Sequence, residues 1–447
     1  MTTSTHKRIH LISIGGAVMH NLALALWAQG HLVTGSDDEI FEPSYSRLQV
    51  KGLLPEKMGW FPERITSDLD FVILGMHAKK DNPELLRAQE MGVPVYSFPE
   101  YIYQESKHKK RVVIAGSHGK TTTTAMVMHV LREMNMAFDY LVGSQLEGFD
   151  YMVKVSDAPL IVIEGDEYLT SPIDLKPKFH WYQPHIAMIT GVAWDHINVF
   201  PTFENYVSQF EVFIQSINPA GALVWYAGDE TLQHLSKNAG CKSLAYDTPD
   251  FELVGETVYR LDGDQKYPLK IFGRHNLQNM EGAMLVCHDL GISKHDFLNA
   301  MGSFAGTARR LEPKQTELFY AAFRDFAHAP SKVTATVKAV KEQFPERKLV
   351  ALFELHTYSS LRLDFLEHYK GSLDGADEKI IYLNPHVFEM KKMSVLPEKD
   401  ILRVFGEDTK IIQHRDELER AVNDTASSEK VLLMMSSGNF DGWVLSM

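Results

Sequence analysis

Residues 111–130 read RVVIAGSHGKTTTTAMVMHV: an apolar run, a turn bracketed by glycines, and a run with helical spacing. Val112 to Ala115 has the character of a buried parallel strand, and Thr122 onward that of a helix. The turn between them, Gly116-Ser117-His118-Gly119-Lys120-Thr121, predicts a phosphate-binding loop. Its glycines let backbone N–H groups close on phosphate oxygens, and the following helix presents its positive end. Lys120 adds a point charge, and Thr121 puts a hydroxyl where a Mg2+ ion would bind. Gly116 stands three residues before Gly119-Lys120, so the loop is two residues shorter than the common G-x-x-x-x-G-K-[ST] spacing.

The same alternation of strand and helix extends in both directions. On the N-terminal side, IHLISIGGAVMHNLALALWAQGHLVTGSD reads as a strand from Ile9 to Ile14, a Gly15-Gly16 turn, a helix from about Val18 to Gln29, and a strand ending at Gly35-Ser36-Asp37. This is the layout of a nucleotide-binding βαβ unit without the full G-x-G-x-x-G spacing, and the glycines serve equally well as a structural turn. Strands at Phe71 to Leu74 and Pro94 to Tyr96, with a helix around Pro83 to Met91, complete a small parallel sheet. The polar, basic stretch before Arg111 sets a first boundary near residue 107.

On the C-terminal side, Ala158 to Ile163 reads as a buried strand with Glu164, Asp166 and Glu167 at its carboxyl end, where ligands bind in open α/β sheets. Carboxylates there suit Mg2+ and are also common in plain loops. Ile186 to Thr190 is a further buried strand. It runs into Trp194-Asp195-His196, a histidine that serves either as a hydrogen-bonded structural residue or as a metal or phosphate ligand. A helix spans Phe203 to Ile217, a strand Ala222 to Tyr226, and residues 240–272 alternate in short strand-like runs. A polar turn at 273–276 then leads to a helix from Gln278, which Asn276 and Asn279 are placed to cap. Arg309 and Arg310 close this unit, and from about residue 313 a second doubly wound pattern begins.

Length and composition agree with several soluble domains. The 447 residues include 45 Lys plus Arg against 58 Asp plus Glu, a net charge of -13 that argues against general nucleic-acid or anionic-membrane binding. Two cysteines, Cys241 and Cys287, lie in no metal or redox spacing, no apolar run approaches the ~20 residues of a membrane span, and the leader before Ile9 lacks a secretory pattern. Action in the cytoplasm is the expectation.

The motifs together resemble the Mur ligase family of bacterial cell-wall synthesis over essentially the whole chain. GSHGKTTT at 116–123 is similar to the family's G-T-H-G-K-T-T-T, EGDE at 164–167 to E-A-D-E, and WDH at 194–196 to its strand-end D-H. GRHNLQN at 273–279 is similar to G-x-H-N-x-x-N, ARRLE at 308–312 to R-R-[FL]-E, and RDFAHAP at 324–330 to D-D-[YF]-A-H-x-P. The resemblance implies three α/β domains: a Rossmann-like domain binding the UDP-sugar at 1–107, a central P-loop ATPase-like domain with a mainly parallel sheet at 108–312, and a Rossmann-like amine-binding domain at 313–447.

It also implies roles. Gly116, Ser117, His118, Gly119, Lys120, Thr121 and Thr122 would hold ATP phosphates, with Thr121, Glu164 and His196 arranging Mg2+. His275 and Asn276 would meet the adenine, and Arg309, Arg310 and Asp325 would complete the ATP site. Lys120, Glu164, His196 and Arg310 would carry the chemistry. SIGGAVM at 13–19 is similar to the I-G-G-x-x-M turn of the branch accepting UDP-N-acetylmuramate, which implies acceptor contacts from Gly15, Gly16, Ser36, Asp37 and His77. The long segment between Glu164 and His196, with Phe353-Glu354 and SSGNF at 436–440, resembles members that add the tripeptide L-alanyl-γ-D-glutamyl-meso-diaminopimelate in recycling rather than L-alanine in the main pathway. His356 and Thr357 would then touch the amine. Ser117 replaces the family's threonine, Ala329 its second histidine, and Thr357 an arginine. A monomer or weak dimer is expected.

Overall fold

The computed structural model describes residues 6–194 and 199–445. Four short strands build the first sheet in the order Leu32–Ser36, Arg8–Ile12, Phe71–Leu74, Val95–Ser97, all parallel, and the inner pair carries Ile9, Leu11, Ile12, Val72, Ile73 and Leu74 into the core. Local sequence sets the helix ends around it. Asn82 accepts hydrogen bonds from the N–H groups of Glu84 and Leu85, Pro83 takes the first helical position, and Gly92 turns left-handed to close Pro83–Met91. Ser97 and Glu100 form a reciprocal capping box that starts Phe98–Ser106.

The second sheet has seven strands in the order Lys242–Tyr246, Ala222–Tyr226, Ile186–Ile189, Lys110–Ala115, Leu160–Glu164, Asp139–Leu141, Val153–Lys154, and only the last pairing is antiparallel. Lys110–Ala115 lies at its centre, and its two neighbours leave in opposite directions. That is a topological switch point, so the crevice at the carboxyl ends of these strands opens beside the phosphate loop. Val112, Val113, Ile114, Val162, Ile163 and Ile186 to Ile189 are fully buried, as a sheet covered on both faces requires.

By internal packing, the chain up to Asp247 with Asn279–Ala300 makes one compact unit, and Thr248–Gln278 with the chain from Met301 makes another. The second unit has an antiparallel sheet of Phe251–Val254, Thr257–Asp262 and Gln265–Leu269. Its six-stranded sheet runs Glu312–Lys314, Phe319–Asp325, Ser427–Met435, Lys348–Glu354, Glu378–Tyr382, Lys410–Ile412, parallel except at the first pairing. Alternate residues of these strands feed two cores. Leu349, Ala351 and Phe353 pack with Val337 and Val340, while Val350, Leu352 and Leu432 pack with Leu418 and Val422. Among the described residues no helix is long and apolar enough to cross a membrane.

Two local readings differ from expectation, and a third segment acquires a structure that its length alone did not specify. The first strand stops at Ile12 because Ser13 is left-handed (φ 66°), which bends the chain into the glycine turn. The helix expected from Gln278 begins at Arg274, since left-handed Gly273 (φ 87°) makes the turn alone and its carbonyl accepts from Asn276 N–H. The polar turn at 274–276 is therefore the helix's first turn. The long segment after Glu164 forms an antiparallel hairpin, Leu169–Ser171 with Asp174–Pro177, followed by a short 3-10 turn, Lys178–Trp181.

Candidate active site

The phosphate loop is shaped by what its glycines leave out. Gly116 (φ 122°) lies so close to the end of Ile186–Ile189 that an added Cβ would come within 2.3 Å of Thr190 Oγ1 and 2.8 Å of its amide nitrogen. At Gly119 (φ 75°) a Cβ would meet Asn279 Oδ1 at 2.4 Å. Neighbouring chain holds the loop from outside: Ser117 N–H donates to Gly191 O (2.9 Å), and Thr190 Oγ1 donates to the His118 carbonyl. Ser117 Oγ pairs with Tyr206 OH (2.9 Å) and accepts from Ala193 N–H (2.8 Å), so the hydroxyl that stands where the family has threonine is fully used.

The helix Lys120–Glu133 starts directly on this loop, with Lys120, Thr121 and Thr122 in its first turn. Lys120 Nζ donates to Gly116 O and to Glu167 Oε2, both at 2.7 Å. Burial works against this ammonium, but Glu167, then Asp166 and Glu164, outweigh it and hold its pKa above the ordinary lysine value. Thr121 Oγ1 donates to Glu164 Oε1 (2.8 Å), and Gly143 N–H donates to Glu164 Oε2 (2.8 Å). The EGDE run thus divides its work: Glu164 meets Thr121, and Glu167, fully buried, meets Lys120 and Tyr206 OH.

Against the same edge lies a cavity of about 370 Å³, lined by Gly16 to Met19, His77 and Phe98 from the first sheet's layer and by Lys120, Gly143, Glu164, Asp166, Thr170, Lys178 and Tyr182. Its wall includes the glycine turn, whose Gly15 N–H donates to Asp37 Oδ2 (2.7 Å) while Asp38 N–H donates to Asp37 Oδ1 (3.0 Å). Burial pushes the Asp37 carboxyl up to about 6 despite the Gly15 amide, which opposes the rise. Ser36 Oγ accepts from Arg64 Nη1 (3.2 Å), whose guanidinium stacks on Phe61.

In the second unit the expected residues form two groups. His275 is buried, and its pKa is lowered first by that burial, with Asp325 opposing and Arg310 adding to the fall. Asn276 Nδ2 donates to Phe272 O (2.9 Å) rather than capping the helix. Asp325 accepts from Leu311 N–H (2.8 Å) and Ala327 N–H (2.7 Å), Arg309 is left-handed (φ 56°) and exposed, and Arg310 lies over the Phe326 ring. The other group gathers at the carboxyl ends of Lys348–Glu354 and Ser427–Met435. Buried Glu354 accepts from Ser436 Oγ and from Phe440 N–H (3.0 Å), and His356 Nδ1 stands 3.5 Å from its second oxygen. Thr357 Oγ1 donates to Ser360 Oγ (3.0 Å) in a tight turn.

The structure thus brings Gly116 to Thr122, Glu164, Gly16 and His77 to one edge of the first unit. His196 and Asp195 lie outside the described residues, and among the described residues no cluster of three or more His, Cys, Asp or Glu is grouped to hold a metal. Sequence reasoning missed Tyr206, Arg64, Lys178 and the approach of Asn279 to Gly119. Asn279 stood within the quoted GRHNLQN and was assigned only to capping; the others carried no local signal.

Residues 8–110 match the family model described as Mur ligase family, catalytic domain, and residues 114–287 match the Mur ligase middle domain. The UDP-N-acetylmuramate--L-alanine ligase of Rubrobacter xylanophilus is 31% identical over 79% of each chain. The protein of the same name from Clostridium kluyveri is 29% identical over 97% of this chain and 96% of its own. Among solved structures, UDP-N-acetylmuramate-alanine ligase from Thermotoga maritima (TM-score 0.73) and a murein peptide ligase from Psychrobacter arcticus (TM-score 0.65) are each 23% identical and cover 98% of this chain and 97% of their own.

Proposed function

Because the chain belongs to the Mur ligase family of ATP-dependent amide ligases, we propose that it joins an amine to the lactyl carboxylate of UDP-N-acetylmuramate in the cytoplasm. The observation that carries this reading is the shared cavity, into which the phosphate loop with Lys120, the Glu164 carboxylate and the helix start at Gly16 all open. In it the acceptor's carboxylate attacks the γ-phosphoryl of ATP, giving an acyl phosphate and ADP. The amine then attacks the activated carbonyl and phosphate leaves. Lys120 and the loop amides offset charge on the transferring group. Thr121 and Glu164, oxygen donors 2.8 Å apart, are of the type a hard divalent cation prefers, and His196 joins them in this proposal. A bound Mg2+ supplies charge neutralisation for phosphoryl transfer. We carry His275, Asn276, Arg309, Arg310 and Asp325 as nucleotide contacts, Gly15, Gly16, Ser36, Asp37 and His77 as acceptor contacts, and His356 and Thr357 as amine contacts, with domains at 1–107, 108–312 and 313–447.

For the amine, the named sequence relatives support L-alanine more strongly than the tripeptide expected from the motifs. One specific observation favours the tripeptide as a second reading: the segment after Glu164 is a built hairpin whose Thr170, with Lys178 and Tyr182 of the following turn, lines the cavity. Phosphate release from ATP and Mg2+ with UDP-N-acetylmuramate, comparing L-alanine with the tripeptide, tests both. Preference for either amine identifies the reaction, and no amine-dependent release with either would sink the ligation.

A further inference from the structure

The cavity contains a cation to which the proposed ATP and acceptor contacts give no part. Among the described residues lining it, Lys120 and Lys178 are the only lysines, and no arginine joins them. Lys120 is engaged with the phosphate loop and Glu167. Lys178 comes from the turn after the hairpin, and its Nζ lies 2.5 Å from Asp166 Oδ2 and 5.8 Å from the centre of the Tyr168 ring. An ammonium has three donors, and the Asp166 contact takes one.

The turn does not need the Lys178 side chain to stay in place. Its backbone is fixed by Lys178 N–H to Tyr168 O (2.9 Å) and Phe179 N–H to Asp166 O (3.2 Å). Phe179 is fully buried and stacks on Phe213 with ring centres 4.6 Å apart, while Phe210 meets it edge-on. Tyr182 is also buried. The result is a rigid platform that presents one lysine, 21% exposed, to a cavity shared with Gly16, His77 and Phe98. A carboxylate entering that cavity beside the turn meets the Asp166 carboxylate, and Lys178 is the cation placed to offset that like-charge approach.

We propose that Lys178 is a specificity-determining residue that receives the lactyl carboxylate of the acceptor, exchanging part of its pairing with Asp166 for that anion. The inference rests on UDP-N-acetylmuramate being the acceptor. UDP-N-acetylglucosamine, which has the same nucleotide and sugar but no lactyl group, separates this role from general support of the fold.

The experiment is calorimetric titration of the full chain with each UDP-sugar, for the wild type and for Lys178→Met and Lys178→Gln, together with the KM for ATP. A charge-assisted hydrogen bond lost at this position is expected to weaken UDP-N-acetylmuramate roughly ten- to a hundredfold. UDP-N-acetylglucosamine and ATP should change by less than about twofold on the same basis, and Lys178→Arg should restore part of the loss. Equal weakening of both sugars, an unchanged affinity for UDP-N-acetylmuramate, or a rise confined to the ATP KM would each overturn the proposal. A wild type that binds neither sugar would reject the acceptor reading and this inference with it, whereas a wild type that prefers UDP-N-acetylmuramate while the variants keep that preference would reject Lys178 alone.

Discussion

Glu167→Gln tests whether the phosphate loop is held by charge. The substitution preserves shape and one acceptor but leaves the Lys120 ammonium, whose side chain is 16% exposed, without the counter-charge now 2.7 Å away on a carboxylate that is 1% exposed. Breaking a buried ion pair from one side costs about 3–5 kcal/mol. Water reaching Lys120 reduces that figure, so ~2 kcal/mol is the expected loss. For a unit of this size each kcal/mol moves the melting transition by about 2–4 °C, which makes the first transition fall by ~4–8 °C. A non-hydrolysable ATP analogue with Mg2+ brings phosphate oxygens to the same ammonium, so saturating nucleotide should shrink the gap to less than about 2 °C. Differential scanning fluorimetry with and without the analogue reads both numbers. Equal melting of the two proteins without nucleotide would refute the reasoning, as would a gap that nucleotide leaves unchanged.

Gly116→Ala places a methyl 2.3 Å from Thr190 Oγ1 at a φ of 122°; it should cost ~1–3 kcal/mol and lower phosphate release at least about tenfold by displacing the loop. Asp37, whose pKa the fold raises to about 6, contributes stability as the protonated acid, present below the unfolded value and lost as pH rises through 6. Urea melts across that window should show wild type losing ground to Asp37→Asn with rising pH, and a constant difference would contradict it. Gly438→Ala sets a Cβ 2.7 Å from His356 Nδ1 and 2.9 Å from Glu354 Oε2; we expect the KM for the amine to rise several-fold with the KM for ATP unchanged, and a pure ATP effect would be the wrong result.

How much of this was legible in the sequence depended on whether a residue's partner lay nearby in the chain. The phosphate loop was readable because strand, glycines, lysine and helix follow one another within 20 residues, and each carries its own local signal. The capping of Pro83–Met91 is local in the same way. Tyr206 was invisible because its partners, Ser117 and Glu167, are 89 and 39 residues distant and a tyrosine at helical spacing looks like core. The hairpin after Glu164 was seen only as unusual length. Its strands are three and four residues long, too short for an alternating pattern to stand out. The helix start at Arg274 was misjudged because a run of polar residues there resembles a loop, whereas left-handed Gly273 had already made the turn.

The central position of Lys110–Ala115 also bears on how the protein is made. The strand and its loop leave the ribosome before almost everything that holds them: Gly191, which receives Ser117 N–H, and Asn279, packed on Gly119, come later. From Ser117 to Asn279 the chain must grow by about 160 residues, which takes roughly ten to thirty seconds at ordinary translation rates. The strand's own edges are paired earlier, first by Leu160–Glu164 and then by Ile186–Ile189, so what the last part of that interval withholds is the Asn279 side of the loop. A nascent chain halted before Asn279 would carry the whole glycine-lysine signature, with Thr190, Gly191 and Tyr206 in hand, and still lack the side chain that packs on Gly119.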